Sequence, residues 1–256
     1  MFCNYAVWRR ASAGHGTVLV PWALPFSDPT GLRHDDHAVA TRWARIKRLF
    51  SRVDGEKIMS VQSELDMARR LGEQFEDLVV RKGQCNVDGR KVLLIGYWAL
   101  LFDYHKGILS LLSNGFCGSA FALVRPVVEG LVRSHVVLMG SDKDVNRIRK
   151  DRYKVDFGRI GVQIDAKFGL GGFFKKFLDQ SQRALHSYTH SGASQIARRF
   201  DGNDLTPRYS EDEIVEVIRV SSTAIFMVTE LVTKHFMFGD EAKKADELFL
   251  EWAKHS

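Results

Sequence analysis

Two consecutive stretches, Lys91–Leu112 and Phe116–Met139, are apolar around most of their circumference. At about 1.5 Å per residue, each is long enough to span the hydrocarbon core of a bilayer. The first carries Asp103, His105 and Lys106, and the second Arg125, Glu129, Arg133 and His135. A charge at a membrane centre costs about 2.5 to 3.5 kcal/mol. The pair is therefore expected at the middle of a soluble protein, with no membrane partner, where a helix that is apolar all round finds neighbours on every side.

The remaining patterning agrees with a helical fold. "SVQSELDMARRLGEQFEDLVVR" (60–81) places Val61, Leu65, Ala68, Leu71, Phe75 and Leu78 at helical spacing. "KGQCNVDG" and "SNG" read as turns, and Gly140 with Ser141 reads as a stop followed by a new N-cap. "DVNRIRKDRYKVD" is expected to be an exposed helix, and the five-glycine "GRIGVQIDAKFGLGGFF" a loop or broken helix. Ser210 followed by Glu213 forms a capping box for a long helix reaching about Phe238. A short helix, Glu241–Lys254, closes the chain. Neither strand alternation nor an internal repeat is visible. The expectation is an all-α bundle of five to seven helices over residues 59–256.

Residues 1–58 stand apart. Residues 1–52 hold 8 Lys and Arg against 3 Asp and Glu, whereas the other 204 residues hold 29 against 28. The basic balance thus belongs to the N-terminal segment, which also concentrates proline and tryptophan without a sustained period. It is expected to be an irregular extension, or to precede a true start at Met59. Its "TVLVPWALPF" is too short and too proline-broken for a targeting signal. Three scattered cysteines (Cys3, Cys85 and Cys117) form neither a CxxC nor a ligand cluster, as expected in a reducing cytoplasm. "GLGG" lacks the GK[ST] of a phosphate loop, and no cofactor is expected.

Polar groups inside apolar helices mark where chemistry can occur. Arg125, Glu129 and Arg133 follow each other at i, i+4 and i+8, which puts all three on one stripe. Unpaired buried charge is costly, so the stripe is either an internal salt-bridge ladder or a ligand-facing pocket. Pro126 between them should kink the helix or free the carbonyl of Ala122. His105 is either a satisfied core residue or a part of the same polar site. In "RALHSYTHSGASQIARRF", Arg183, His186 and His190 share a narrow stripe if the helix continues to Gly192. Two imidazoles at i, i+4 without a third ligand do not make a metal site, and none is expected. Imidazole can move protons and a fixed arginine can hold an oxyanion, with Tyr188 and Thr189 free to hydrogen-bond to neighbouring helices. Glu129 and Arg133 are the expected partners of this segment. Arg198 and Arg199 read as a solvated helix end.

"LVRPVVEGLVRSHVV", "LHSYTHSGASQIARR" and "LTPRYSEDEIVEVI" together resemble a bacterial family of helical proteins known only as a domain of unknown function, over about Ser60 to Ala242. More distantly, Arg183-x6-His190 resembles the R-x4–6-H motif of HEPN domains, which include metal-independent ribonucleases of toxin and phage-defence systems. That resemblance implies a homodimer, RNA or another anionic ligand, His190 as general acid/base and Arg183 as stabiliser of phosphorane charge. Ala184, where a polar residue is usual, and the extra His186 depart from the motif. Two classes stay open: such an enzyme, or a non-enzymatic binding or scaffold module in which the same groups form a structural network.

Overall fold

The computed structural model describes residues 60–80, 89–168, 171–190, 192–200, 203–236 and 239–255. The N-terminal extension and the start at Met59 lie outside the described residues. Nine helices occur among those described: α1 (Val61–Val80), α2 (Gly89–Ser113), α3 (Cys117–Met139), α4 (Asp142–Arg149), α5 (Phe157–Phe168), α6 (Phe173–Thr189), α7 (Ala193–Ala197), α8 (Glu211–His235) and α9 (Gly239–His255). The all-α bundle is as expected. The helices exceed five to seven because α4 and α7 are short and the glycine-rich stretch is itself helical.

That stretch is a broken helix, one of the two forms expected, with α5 and α6 on either side of a glycine turn. Its glycines serve packing and one turn rather than breaking the chain throughout. A Cβ at Gly161 would come within 2.8 Å of the Lys175 backbone, so a bare Cα lets α5 and α6 cross closely. The turn itself uses Gly171 and Gly172 at φ 58° and 83°, where a side chain would be strained. Asp165, buried on α5, then caps α6 by accepting from the backbone amides of Phe174 (2.8 Å) and Lys175 (2.9 Å). Two orphan donors of the helix start are thereby satisfied.

The capping signals behave as read. The Ser210 hydroxyl accepts from the Glu213 amide while the Glu213 carboxylate accepts from the Ser210 amide. Ser141 caps α4 through the Asp144 amide. Helix α8 ends at His235, before the predicted Phe238.

The most enclosed element is α8, buried without interruption from Ser221 to Thr233 and packed against α1, α2, α3 and α9. Phe226 stacks on Phe249 of α9 with ring centroids 3.9 Å apart and meets Phe75 of α1 at 6.0 Å. Each such side chain contributes about 1.5 to 3 kcal/mol on burial. The expectation that α2 and α3 are both central holds for α3 only. Helix α2 buries Leu94, Trp98, Leu101, Phe102 and Ile108 but leaves Val92 (52%) and Leu100 (38%) exposed. By length and composition it is long and apolar enough to cross a membrane.

Buried polar groups tie these helices together. The Trp98 indole donates to Thr229 Oγ1 (3.1 Å), and Glu64, fully buried on α1, accepts from Arg219 of α8 at 3.2 and 3.4 Å. His105 is a core residue: Nδ1 is 3.0 Å from Ser221 Oγ and Nε2 3.3 Å from the Ala68 carbonyl. Burial pushes it down to about 4, so it joins α1, α2 and α8 as a neutral ring.

Candidate functional site

Helix α3 runs antiparallel to α6, with Ala122 opposite Thr189 and Arg125 opposite His186. Pro126 explains the first contact. It cannot donate to the Ala122 carbonyl, and the Thr189 hydroxyl lies 3.4 Å from that oxygen and 2.9 Å from its own Leu185 carbonyl. The freed acceptor thus helps to dock α6 on α3. The proline was legible as a donor deficit; its Thr189 partner was not.

On the outer side of this junction the predicted groups meet. Arg125 Nε donates to Glu129 Oε1 at 2.7 Å, and Arg133 Nη2 lies 3.8 Å from Glu129 Oε2. All three side chains are between one fifth and one third exposed, so the stripe is a ladder at the surface of the bundle rather than in its interior. Across on α6, His186 Nδ1 is 2.7 Å from Arg125 Nη1. A guanidinium only donates, so Nδ1 is the acceptor, and the proton of the neutral ring sits on Nε2. The rings of His186 and His190 stand 4.5 Å apart and both residues are exposed. Helix α6 ends at Thr189 with His190 at its C-cap, short of Gly192, yet the two imidazoles keep their shared stripe.

The partner of the histidine segment is therefore Arg125. Of the two residues expected in that role, Glu129 pairs with Arg125 and Arg133 with Glu129. Arg183 lies on α6, and its side chain falls outside the described residues. Tyr188 is turned away, about 200° round the helix from His186. It is buried against Phe121 (5.4 Å), and burial pushes its phenol up to about 12. It stays protonated at neutral pH and takes no part in the exposed cluster. Cys117 is half-buried, with its thiol pushed up by burial, the environment of an inert cysteine. Among the described residues no group of three His, Cys, Asp or Glu could hold a metal ion.

The expectation that Arg198 is solvated is overturned. Arg198 is 5% exposed and pairs bidentately with Glu213, Nη1 to Oε2 at 2.6 Å and Nη2 to Oε1. Its guanidinium carbon lies 5.4 to 5.8 Å from the ring centroids of Phe121, Tyr188 and Tyr209. Arg198 also donates to the Arg208 carbonyl (3.3 Å), and its own carbonyl accepts from the Arg208 amide (2.8 Å). This closed pair pins α7 and the following loop to the start of α8. The signal that sequence reasoning passed over was Glu213, assigned there only to capping.

Compared with known proteins, the chain matches no curated protein and no solved structure, HEPN domains included. A family model does match, from Trp98 to Asp246, starting later than the Ser60 expected and taking in α3, α6 and α8. That match spans more than half of the chain, which therefore belongs to the "Family of unknown function (DUF6988)".

Proposed function

We propose that the α3–α6 cluster is a metal-independent phosphate site, and that the protein acts as a HEPN-like endoribonuclease. The reading rests on one observation: an arginine and two exposed imidazoles converge, with Arg125 on His186 at 2.7 Å and the rings 4.5 Å apart. Such groups supply what cleavage of an RNA strand by its own 2′-hydroxyl requires. His190 takes the 2′-hydroxyl proton as the oxygen attacks phosphorus. The O2′–P bond forms, the P–O5′ bond breaks, and the leaving oxygen takes a proton from water. His190 then returns its proton to solvent, leaving a 2′,3′-cyclic phosphate and a 5′-hydroxyl. Arg125 and the Nε2–H of His186 hold the phosphorane oxygens. The homodimer implied by the resemblance and the cytoplasmic setting suggested by the scattered cysteines belong to the same proposal, and a monomer by light scattering would remove a composite site.

The test is cleavage of single-stranded RNA in EDTA. The wild type is expected to release cyclic-phosphate ends, and His190→Ala to lose about 100-fold or more in rate while remaining folded. An inactive wild type, or an equally active variant, would overturn the enzymatic reading.

A second reading, a non-enzymatic binding module, is favoured by charge. Glu129 offsets much of the positive charge of Arg125 and Arg133, and residues 53–256 are nearly neutral, whereas RNA affinity rests on unbalanced Lys and Arg. Anion binding without turnover is its signature.

A further inference from the structure

We propose that the basic stretch 39–53 of this chain docks as an amphipathic helix in the groove between α1 and α9, antiparallel to α1. Nothing in this docking depends on the phosphate-site reading above.

The groove holds a cavity of about 440 Å³ where the end of α1 meets the start of α9. Leu78 and Leu248 give it an apolar floor, and Asp77, Asp240 and Glu241, against Lys244, give it an acidic rim. The acidic character continues away from the cavity. Asp240, Lys244, Glu247 and Glu251 are all exposed and follow at i, i+4, i+7 and i+11, on one stripe of α9. Helix α8 runs parallel to α1, joining Arg219 to Glu64 and Phe226 to Phe75. Helix α9 turns back along α8, with Phe249 stacked on Phe226. The acidic stripe therefore heads towards the N-terminal end of α1, where the chain enters the bundle at Ser60.

The stretch "VATRWARIKRLFSRV" (39–53) has the complementary chemistry. The N-terminal segment as a whole has no period, but here Val39, Trp43, Ile46, Phe50 and Val53 recur at alternating four- and three-residue steps, which makes one apolar edge of a helix. Arg42, Arg45, Lys47, Arg48 and Arg52 occupy the rest of its circumference, without an acid among them. As a helix, the stretch spans about 22 Å, against about 24 Å from Val61 to Asp77 on α1. Residues 54–59 connect the two and open on Asp54-Gly55, a turn signal. A connection of about 2 to 8 residues is what joins antiparallel neighbouring helices. Reach, length and charge thus place the apolar edge over Leu78 and Leu248 and the arginines beside the acids of α1 and α9.

An anionic membrane surface is the competing occupant for a basic amphipathic stretch. An acidic groove within reach of so short a connection favours docking within the chain.

The test is hydrogen exchange of the full chain. Amides of residues 42–52 should exchange at least about tenfold slower than in a free peptide, at every protein concentration. Asp77→Lys, Asp240→Lys and Glu241→Lys together should return them to the free rate, with residues 221–233 of α8 still protected as the check on folding. Ile46→Asp alters no residue of the bundle and should do the same, which decides the question if the charge-reversed chain fails to fold. Asp103→Lys, on the exposed side of α2, should change nothing. Free-peptide rates in the wild type would overturn the docking, and protection gained only on phosphatidylserine vesicles would make a membrane the occupant. Protection that rises with protein concentration would move the stretch to a second copy, and protection that survives the charge reversal would move it to another face; either overturns the proposal.

Discussion

Arg198–Glu213 and Arg125–Glu129–Arg133 are built from the same side chains but differ in what they leave open. In the first, one guanidinium meets one carboxylate through two parallel bonds, with three rings around it and almost no exposure. In the second, one carboxylate is divided between two guanidiniums at 2.7 and 3.8 Å, at the surface and beside two exposed imidazoles. A pair sealed from solvent is a structural part, because no ligand can reach it. One shared at the surface keeps its guanidiniums within reach of solvent. Residue type alone does not separate the two cases; exposure does.

The sharpest way to break the comparison is to remove one cation from each region. Arg198→Met strands Glu213 beneath the aromatic rings and should cost about 3 to 5 kcal/mol in chemical denaturation. A loss under 1 kcal/mol would make the buried pair as dispensable as the exposed one.

Acidity gives the next largest effect. His105 falls from its ordinary 6.5 to about 4 in the folded chain. On acidification the unfolded chain takes the proton first. This contribution is full above pH 6.5 and is lost as pH falls towards 4, about 3 kcal/mol in all. Glu216, partly buried on α8, runs the other way. Burial first, then Glu213 and Asp212, outweigh Arg219 and push it up to about 8. Its contribution is present below pH 4.5 and is lost as pH rises to 8. The two slopes oppose each other between pH 4.5 and 6.5. Glu216→Gln should therefore uncover a rise in stability from pH 4 to 6.5 and remove the decline between 6.5 and 8. A variant with the wild-type pH profile would contradict the placement of Glu216.

The smallest effect completes the contrast. Arg133→Met breaks only a long, partly exposed ion pair and should change stability by less than about 1 kcal/mol. A loss as large as that of Arg198→Met would make the α3 stripe a structural ladder.

Much of the fold was legible because it rests on period and capping. The α1 pattern, the capping box at Ser210 and the N-cap at Ser141 each specify a local geometry that the chain adopts. The stripe of Arg125, Glu129 and Arg133 was legible for the same reason, since i, i+4 spacing is local. What was not legible depends on contacts distant in sequence. Nothing near Arg198 reveals that Glu213, fifteen residues on, will bury with it, nor that Gly161 is small because Lys175 crosses it. Which stripe residue faces His186 is set by the α3–α6 register, and the register is set by contacts such as Thr189 to the Ala122 carbonyl. The sequence pointed to Glu129 and Arg133, and packing chose Arg125.

The most direct test of the open cluster is the imidazole nitrogen spectrum of the ¹⁵N-labelled protein during titration with the 5′-phosphorylated dinucleotide pUpU in EDTA. The account predicts an acceptor-type Nδ1 on His186, and resonances of His186 and His190 that move together while that of buried His105 stays fixed. A His186 protonated on Nδ1 in its neutral form, or a spectrum unchanged by the dinucleotide, would contradict it.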